Sequence, residues 1–222
     1  YFLIAGIPFV ILYIFFPAIF SKNKIQDRKA KRTDFTREIN HSIQASIVFA
    51  GVVLLILKTP IRDFTQFYMN SSEQPIWWMP VSVLLTFIIH DAYSYWMHKV
   101  VHHPKLFKKV HLLHHKSVNP SPWASFSFHF FESLFEAMVI PILFFLIPMN
   151  IQALITFGFL SFAFNVYGHL GYEVAPRWFR NSFLFQFMVS STYHNLHHSK
   201  FKGNYGLYFR FWDRIMRTEH PD

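Results

Sequence analysis

Apolar and polar positions along this chain fall into long blocks rather than into the short periods of a soluble domain. Tyr1 to Phe20 is apolar except for Gly6, Pro8 and Pro17, and Ile39 to Leu57 is a second apolar run with a polar start at Asn40, His41 and Gln44. A third run opens at Trp78, stays apolar to Ile89, turns polar at His90, Asp91, Tyr93 and Tyr95, and reaches His98 without a glycine. Trp123 to Ile147 and Ile151 to Leu170 follow, separated only by Pro148, Met149 and Asn150. About 20 helical residues at 1.5 Å each match the roughly 30 Å of a bilayer's hydrocarbon core. The pattern predicts an all-α membrane protein with about four transmembrane helices, the last two forming a tight hairpin. Trp178 to Val189 is rich in Phe but broken by Arg180, Asn181, Ser182 and Gln186, as expected of a helix lying in the interface.

Composition strengthens this picture. The 222 residues are 52% hydrophobic and 20% aromatic, an apolar surplus that a soluble domain of this size does not need. The start at Tyr1 rather than Met suggests a trimmed chain. No internal repeat stands out, so 1–222 reads as a single membrane-embedded domain, with N-terminal spans in 1–57 and its chemistry in about 90–217. The net charge of +9 does not point to nucleic acid, because the basic residues sit in blocks between apolar runs. Seven lie in Ser21 to Glu38, five in His98 to Lys116 and seven after Gly171, against two between Lys58 and Pro75 and none at the hairpin turn. By the positive-inside rule the basic ends are cytoplasmic.

Those same ends carry histidine. His98 to His115 holds six histidines in eighteen residues, and His194, His197 and His198 answer them downstream. His98 and His102 are i,i+4, whereas His111, His114 and His115 are i,i+3,i+4, a spacing repeated by His194, His197 and His198; each set lines one helical face. His103 competes with His102 as the partner of His98, and His41 and His220 stand alone. Neutral imidazole is the commonest metal ligand in proteins. Eight ligands exceed what one ion can use, so the surplus points to two ions with open positions. With no cysteine, thiolate sites and iron–sulfur clusters are excluded. Counting along the hairpin, His129 lies eighteen residues from Ile147 and His169 nineteen from Asn150, about 27 and 28 Å of helix, so both return to the level of the other histidines. Asp91 is expected to accept from an imidazole N–H.

The order HxxxH, HxxHH, HxxHH in a chain with several spans resembles the fatty acid hydroxylase and sterol desaturase superfamily of integral-membrane, non-haem di-iron enzymes. The resemblance runs from about His90 to Arg217. It takes in His90-Asp91, Tyr95-Trp96-Met97-His98, the phrases HKVVHH, KVHLLHHKS and HNLHH, and the ending Asn204-Tyr205-Gly206 with Trp212-Asp213-Arg214. Gly168 to Glu173 is similar to the His-x-Gly-Tyr-acidic phrase of sterol C4-methyl oxidases and cholesterol 25-hydroxylases. His129 with Glu132 resembles a His-Pro-x-acidic element of sterol oxidases, with Phe130 where that element carries Pro. Asn165 stands where hydroxylases of fatty acyl chains carry a further histidine.

The resemblance implies ten ligands: His98, His102, His111, His114, His115, His129, His169, His194, His197 and His198. Asp91, Glu132 and Asn165 would support them, while Glu136 reads as an interfacial polar contact. It implies two iron ions, with zinc as a product of mis-metallation, and an O2-dependent hydroxylation of an unactivated C–H bond in a sterol, fatty acyl or related lipid. Desaturation at the same site is the alternative, and a membrane metal transporter or binding protein is the rival of another class. Phe126, Phe128, Phe130, Phe131 and Phe164 are candidates for a lipid pocket. No G-x-G-x-x-G occurs, so electrons must come from an external cytochrome b5-like or ferredoxin-like donor. The expected location is the endoplasmic reticulum in a eukaryote or the inner membrane in a bacterium.

Overall fold

A computed structural model describes residues 1–28 and 30–220. Among these residues the architecture is all-helical, with only isolated bridges such as Lys24 to Tyr172 and Met188 to Phe209 outside the helices. In chain order the helices are α1 (Phe2–Phe9, continued by a π-helical turn, Val10–Phe15), α2 (Arg32–Leu57) and α3 (Trp78–Val101), then the short α4 (Pro104–Val110) and α5 (Leu112–His115). There follow α6 (Phe130–Ala137), α7 (Val139–Leu146) and α8 (Ile151–Gly168), and last α9 (Arg177–Arg180), α10 (Phe183–Phe187), α11 (Ser191–Lys200) and α12 (Phe211–Ile215).

Among the described residues two helices, α2 and α8, are long and apolar enough to cross a membrane. Only 17% and 22% of their apolar windows are buried within the protein. Ile47 of α2 is 67% exposed and Ile155 of α8 63%, and α3 and α7 add Leu84, Ile88, Val100, Phe145 and Leu146 to the outward apolar surface. A soluble monomer rarely shows apolar patches of this extent, whereas helices with internally satisfied backbones are what a bilayer accepts. The protein is therefore a membrane protein.

Three expected boundaries shift for local reasons. The first apolar run is helical only to Phe15, short of a span. The arm expected from Trp123 to Ile147 begins with a 3-10 turn, Pro122–Phe126, and its helix breaks at Met138 between α6 and α7. Pro141 has no N–H to give the carbonyl of Ala137, and its ring crowds that carbonyl, which accounts for the break. The interfacial segment 178–189 splits into α9 and α10 because Ser182 caps α10, accepting from the Phe185 N–H at 3.2 Å.

Apolar packing ties the bundle in two places. Ala5 and Leu12 of α1 pack on Phe162 and Val166 of α8, and Val83 of α3 packs with Val139 and Leu143 of α7 and Ala153 of α8. α2 is held differently. Its fully buried Glu38 accepts hydroxyl hydrogen bonds from Ser117 at 2.7 Å and Ser121 at 2.5 Å, in the segment that follows the second histidine block. Replacing Glu38 by Ala strands two buried hydroxyls, at about 1–3 kcal/mol each. The thermal midpoint in detergent is expected to fall by about 5–15 °C. Asp63→Ala, at an exposed side chain, is the control that leaves it unchanged; an unchanged midpoint in Glu38→Ala would refute the pin.

Candidate metal centre

At the end of the bundle where α3 and α8 finish and α6 begins, the ends of α3 and α8 and the short helices around them bring nine histidines into two adjoining clusters. His98, His102, His111, His115 and His197 form one, and His114, His169, His194 and His198 the other, with potential ligand atoms within 4.8 Å of one another in each. The partition follows from helix geometry. Residues i and i+4 share a face, so His111 with His115 joins the first cluster and His194 with His198 the second. The intervening i+3 residue, His114 or His197, lies next to its i+4 neighbour but about 100° away around the axis, and it serves the other cluster. Each HxxHH block thus straddles both.

The ring nitrogens are oriented by what their far sides touch. His98 Nδ1 donates to the Tyr205 carbonyl at 3.0 Å, His169 Nδ1 to the Asn165 carbonyl at 2.7 Å and His197 Nδ1 to the Gly203 carbonyl at 2.6 Å. His111 Nδ1 is bonded to the Glu132 carboxylate. A neutral imidazole has one N–H, so in these four rings Nε2 is left with its lone pair. His98 Nε2 and His111 Nε2 nevertheless face each other at 3.1 Å. His169 Nε2 lies 3.1 Å from His194 Nε2 and 3.3 Å from both His114 Nε2 and His198 Nε2. His197 Nε2 is buried without a partner. Ligand atoms about 2.1 Å from one ion are separated by roughly 3.0–3.4 Å along the edges of an octahedron or tetrahedron. The spacing is that of a coordination polyhedron, and lone pairs that repel each other are reconciled by a cation between them.

Burial keeps these rings neutral and ready to bind. Loss of solvent is the largest cause, and repulsion from neighbouring rings the next, of the downward shifts at His111, His114, His194, His197 and His198. His115 is pushed down to about 3 and His169 to about 4, again chiefly by burial.

Nine of the ten expected ligands are gathered. His129 is not: it caps α6, its Nδ1 accepting from the Phe131 N–H at 3.4 Å. His102 belongs to the first cluster, whereas His103 caps α4. Glu132 touches a ligand, as described. Asp91 does not meet an imidazole; its Oδ1 accepts from the backbone N–H groups of Tyr208 at 2.9 Å and Phe209 at 3.1 Å. Asn165 acts on His169 through its backbone carbonyl, while its side-chain amide donates to the Ser125 carbonyl at 2.9 Å. The sequence reading missed Gly203 and Asp213. Gly203, at φ +74°, turns the chain back after α11 so that its carbonyl meets His197. Asp213 accepts from Tyr205 N–H at 3.0 Å and Gly206 N–H at 2.7 Å, fixing the carbonyl that holds His98. A glycine five residues after HNLHH and an acid beside Trp212 were the available signals.

Beneath the clusters lies a cavity of about 290 Å³ whose walls include His98, His111, His114, His169 and His194. Its other walls are largely apolar, with Phe126 and Phe128 among them; Phe130 and Phe131 instead point outward, 46% and 55% exposed. Ligands of both clusters therefore face one space lined by hydrocarbon.

The family profile for fatty acid hydroxylase matches residues 83–218, and the chain belongs to that family. Over 219 residues it is 30% identical to the Delta(7)-sterol 5(6)-desaturase ERG3B of Gibberella zeae, covering 95% of this chain and 65% of that protein. It is 28% identical over 181 residues to the lathosterol oxidase of Homo sapiens, covering 81% of this chain and 59% of that protein. Very-long-chain aldehyde decarbonylase GL1-4 of Oryza sativa subsp. indica is 29% identical over 210 residues, 89% of this chain and 32% of that protein. The chain spans 65% and 59% of the length of the two sterol-oxidising relatives named. No solved structure matches.

Two expectations follow from this centre. Because the folded rings resist protonation while unfolded histidine titrates near 6.5, the unfolded chain binds more protons below that pH, and stability falls as pH drops through it. Chelator-treated protein should hold its thermal midpoint from pH 8 to about 6.5 and lose it steeply towards pH 5, each histidine contributing up to about 1.4 kcal/mol per pH unit. A flat profile would show that the rings carry protons in the folded state. Separately, a Cβ on Gly203 would meet the Thr218 carbonyl and His220 Nε2 at 2.6 Å, and φ +74° disfavours any side chain. Gly203→Ala should displace the carbonyl on His197 and weaken metal binding by about 10–100-fold in equilibrium titration.

Proposed function

We propose that this chain acts as a membrane-embedded, O2-dependent oxidoreductase that attacks an unactivated C–H bond of a sterol-like lipid, with two iron ions held by the two histidine clusters. The facing lone pairs of His98 and His111 at 3.1 Å carry the reading, since that arrangement serves a cation and little else. The donor set fits: all-nitrogen ligation without thiolate suits iron and also zinc. When bound, iron supplies oxygen activation and one-electron redox capacity that no side chain here offers.

The chain's own residues do the rest. His98, His111, His169 and His197 are kept in the tautomer that presents Nε2 by their backbone and Glu132 partners. The cavity brings a lipid C–H bond up to His98, His111, His114, His169 and His194, and Phe126 and Phe128 exclude water from that space. Hydroxylation and desaturation share this geometry and differ in whether a second hydrogen leaves before oxygen reaches the carbon. The sterol desaturase relatives favour desaturation. A metal transporter would place its ligands near mid-membrane on broken helices, whereas these lie at helix ends.

In the membrane, α2, α3, α6 with α7, and α8 make four crossings, and the histidine helices cap the cytoplasmic end, where nineteen of the 21 Lys and Arg lie. The membrane is that of the endoplasmic reticulum in a eukaryotic cell or the inner membrane of a bacterium. An acidic cytochrome b5-like or ferredoxin-like carrier would dock on that basic face.

Protein purified from iron-supplemented cells should hold about two irons per chain by mass spectrometry. His102→Ala and His194→Ala, one from each cluster, should each remove about one and abolish lipid-dependent oxygen uptake. A product lighter by two hydrogens marks a desaturase and one heavier by an oxygen a hydroxylase. Less than one iron in a folded protein, unaltered by either substitution, would overturn the proposal.

A further inference from the structure

The cavity has a polar girdle that the metal centre does not use. Three of the helices that line it each carry a polar side chain four residues from a residue of the metal layer. Ser94 precedes His98 on α3, Asn165 precedes His169 on α8, and Glu136 follows Glu132 on α6. Four residues are one turn on the same face, about 6 Å along the axis. Because α6 runs opposite to α3 and α8, all three offsets lead in the same direction, away from the clusters. Ser94, Glu136 and Asn165 all line the cavity, so they ring it one turn below the ligands.

This ring is chemically unfinished. Ser94 is 4% exposed and its Oγ is buried with no hydrogen-bond partner among the described residues. Asn165, which lines the cavity, donates an amide N–H to the Ser125 carbonyl, and its Oδ1 accepts no hydrogen bond among the described residues. Glu136 makes no hydrogen bond or ion pair among the described residues. One turn deeper the contrast is plain. There His90 Nδ1 meets the Tyr208 hydroxyl at 2.7 Å, and that hydroxyl donates to Ser161 Oγ at 2.5 Å, so the groups satisfy one another. A buried hydroxyl without a partner is costly, and Ser94 beside the half-buried acceptors of Glu136 and Asn165 fits a ligand that brings the missing partner.

Resting on the lipid-oxidising reading above, we infer that Ser94, Glu136 and Asn165 form the receptor for a hydroxyl group of the lipid substrate. An alcohol can donate to Glu136 or Asn165 Oδ1 and accept from Ser94, which a hydrocarbon cannot do. An ammonium would satisfy the acceptors but would have to enter stripped of water between Phe49, Phe157 and Phe162. The placement also fixes the reaction site. With its hydroxyl about 6 Å below the ligand layer, the substrate presents a carbon only a few bonds from that hydroxyl. A rigid alcohol such as a sterol fits; an acyl chain whose only polar group is a distant head does not.

The test is equilibrium binding of a radiolabelled Delta(7)-sterol and of its methyl ether to the iron-loaded, detergent-purified chain. The free alcohol should bind at least about tenfold more tightly than the ether, the worth of a satisfied buried hydrogen bond. Ser94→Ala and Glu136→Leu should each bring that ratio towards one while iron content and ether affinity stay at the native level. Equal affinity of the native protein for the two, or variants that weaken both alike, would overturn the receptor. The two readings fail separately. Preference for the alcohol in a protein that takes up no iron and oxidises nothing leaves the receptor standing and sinks the oxidase, and iron-dependent oxidation without that preference does the reverse.

Discussion

Two imidazole lone pairs pointing at each other across 3.1 Å are the constraint on which the rest of this protein turns. Left alone, His98 and His111 would rotate apart or take up protons. They are held because each ring has spent its one N–H elsewhere. Much of the chain after α11 serves that purpose. Gly203 and Tyr205 supply carbonyls to His197 and His98, and Asp213 grips the Tyr205 and Gly206 N–H groups. Thr218 donates its hydroxyl to the same Asp213 at 2.6 Å. Asp91 of α3 then ties Tyr208 and Phe209 back to the bundle, so the helix that ends in His98 also positions the loop that orients it. A centre built in this way is preorganised for metal rather than assembled around it.

Much of this was legible in the sequence, and the limits are physical. Spacing of three and four residues fixes which histidines share a face, and the three blocks carried that message. It does not say that His114 and His115, adjacent in the chain, serve different clusters, because the answer depends on how α5 and α11 meet. His129 returns to the level that the count along the hairpin predicts, but not into a cluster. Pro141 interrupts that arm of the hairpin, and the ring of His129 is engaged in capping α6. Asp91 looked like an imidazole partner because of its position near His98, but a carboxylate in reach of two free backbone N–H groups is taken by them. Apolar runs foretold the two helices long enough to cross a membrane, α2 and α8, since hydropathy reads composition, and failed at helix ends, where a single Pro or Ser decides.

The site sits where the demands of membrane and chemistry can both be met. Helices in hydrocarbon can hide their own backbone but not a crowd of imidazoles, which need carbonyl and carboxylate partners from irregular chain. Those partners gather at and just beyond helix ends, in the 201–210 segment, the first turn of α6 and the last turn of α8. The cavity then extends from this polar cap into the apolar bundle, so the histidine clusters close one end of it and hydrocarbon side chains line the other.

The two clusters are not equivalent, and charge shows why. Nine neutral imidazoles offset none of the charge of two divalent cations. Among the described residues the one carboxylate bonded to a clustered ring is Glu132, on His111, in the five-histidine cluster. When ionised, as beside a bound cation, it would make that imidazole a stronger donor, whereas His169 in the four-histidine cluster has only a carbonyl behind it. An ion bound in the first cluster would be held by more ligands and by one more basic ligand, and one bound in the second would have fewer ligands, no carboxylate behind them and more room for an exogenous ligand. The asymmetry is set by α6, the same helix whose next turn brings Glu136 to the cavity, so one element links the surroundings of His111 to the lining of that cavity.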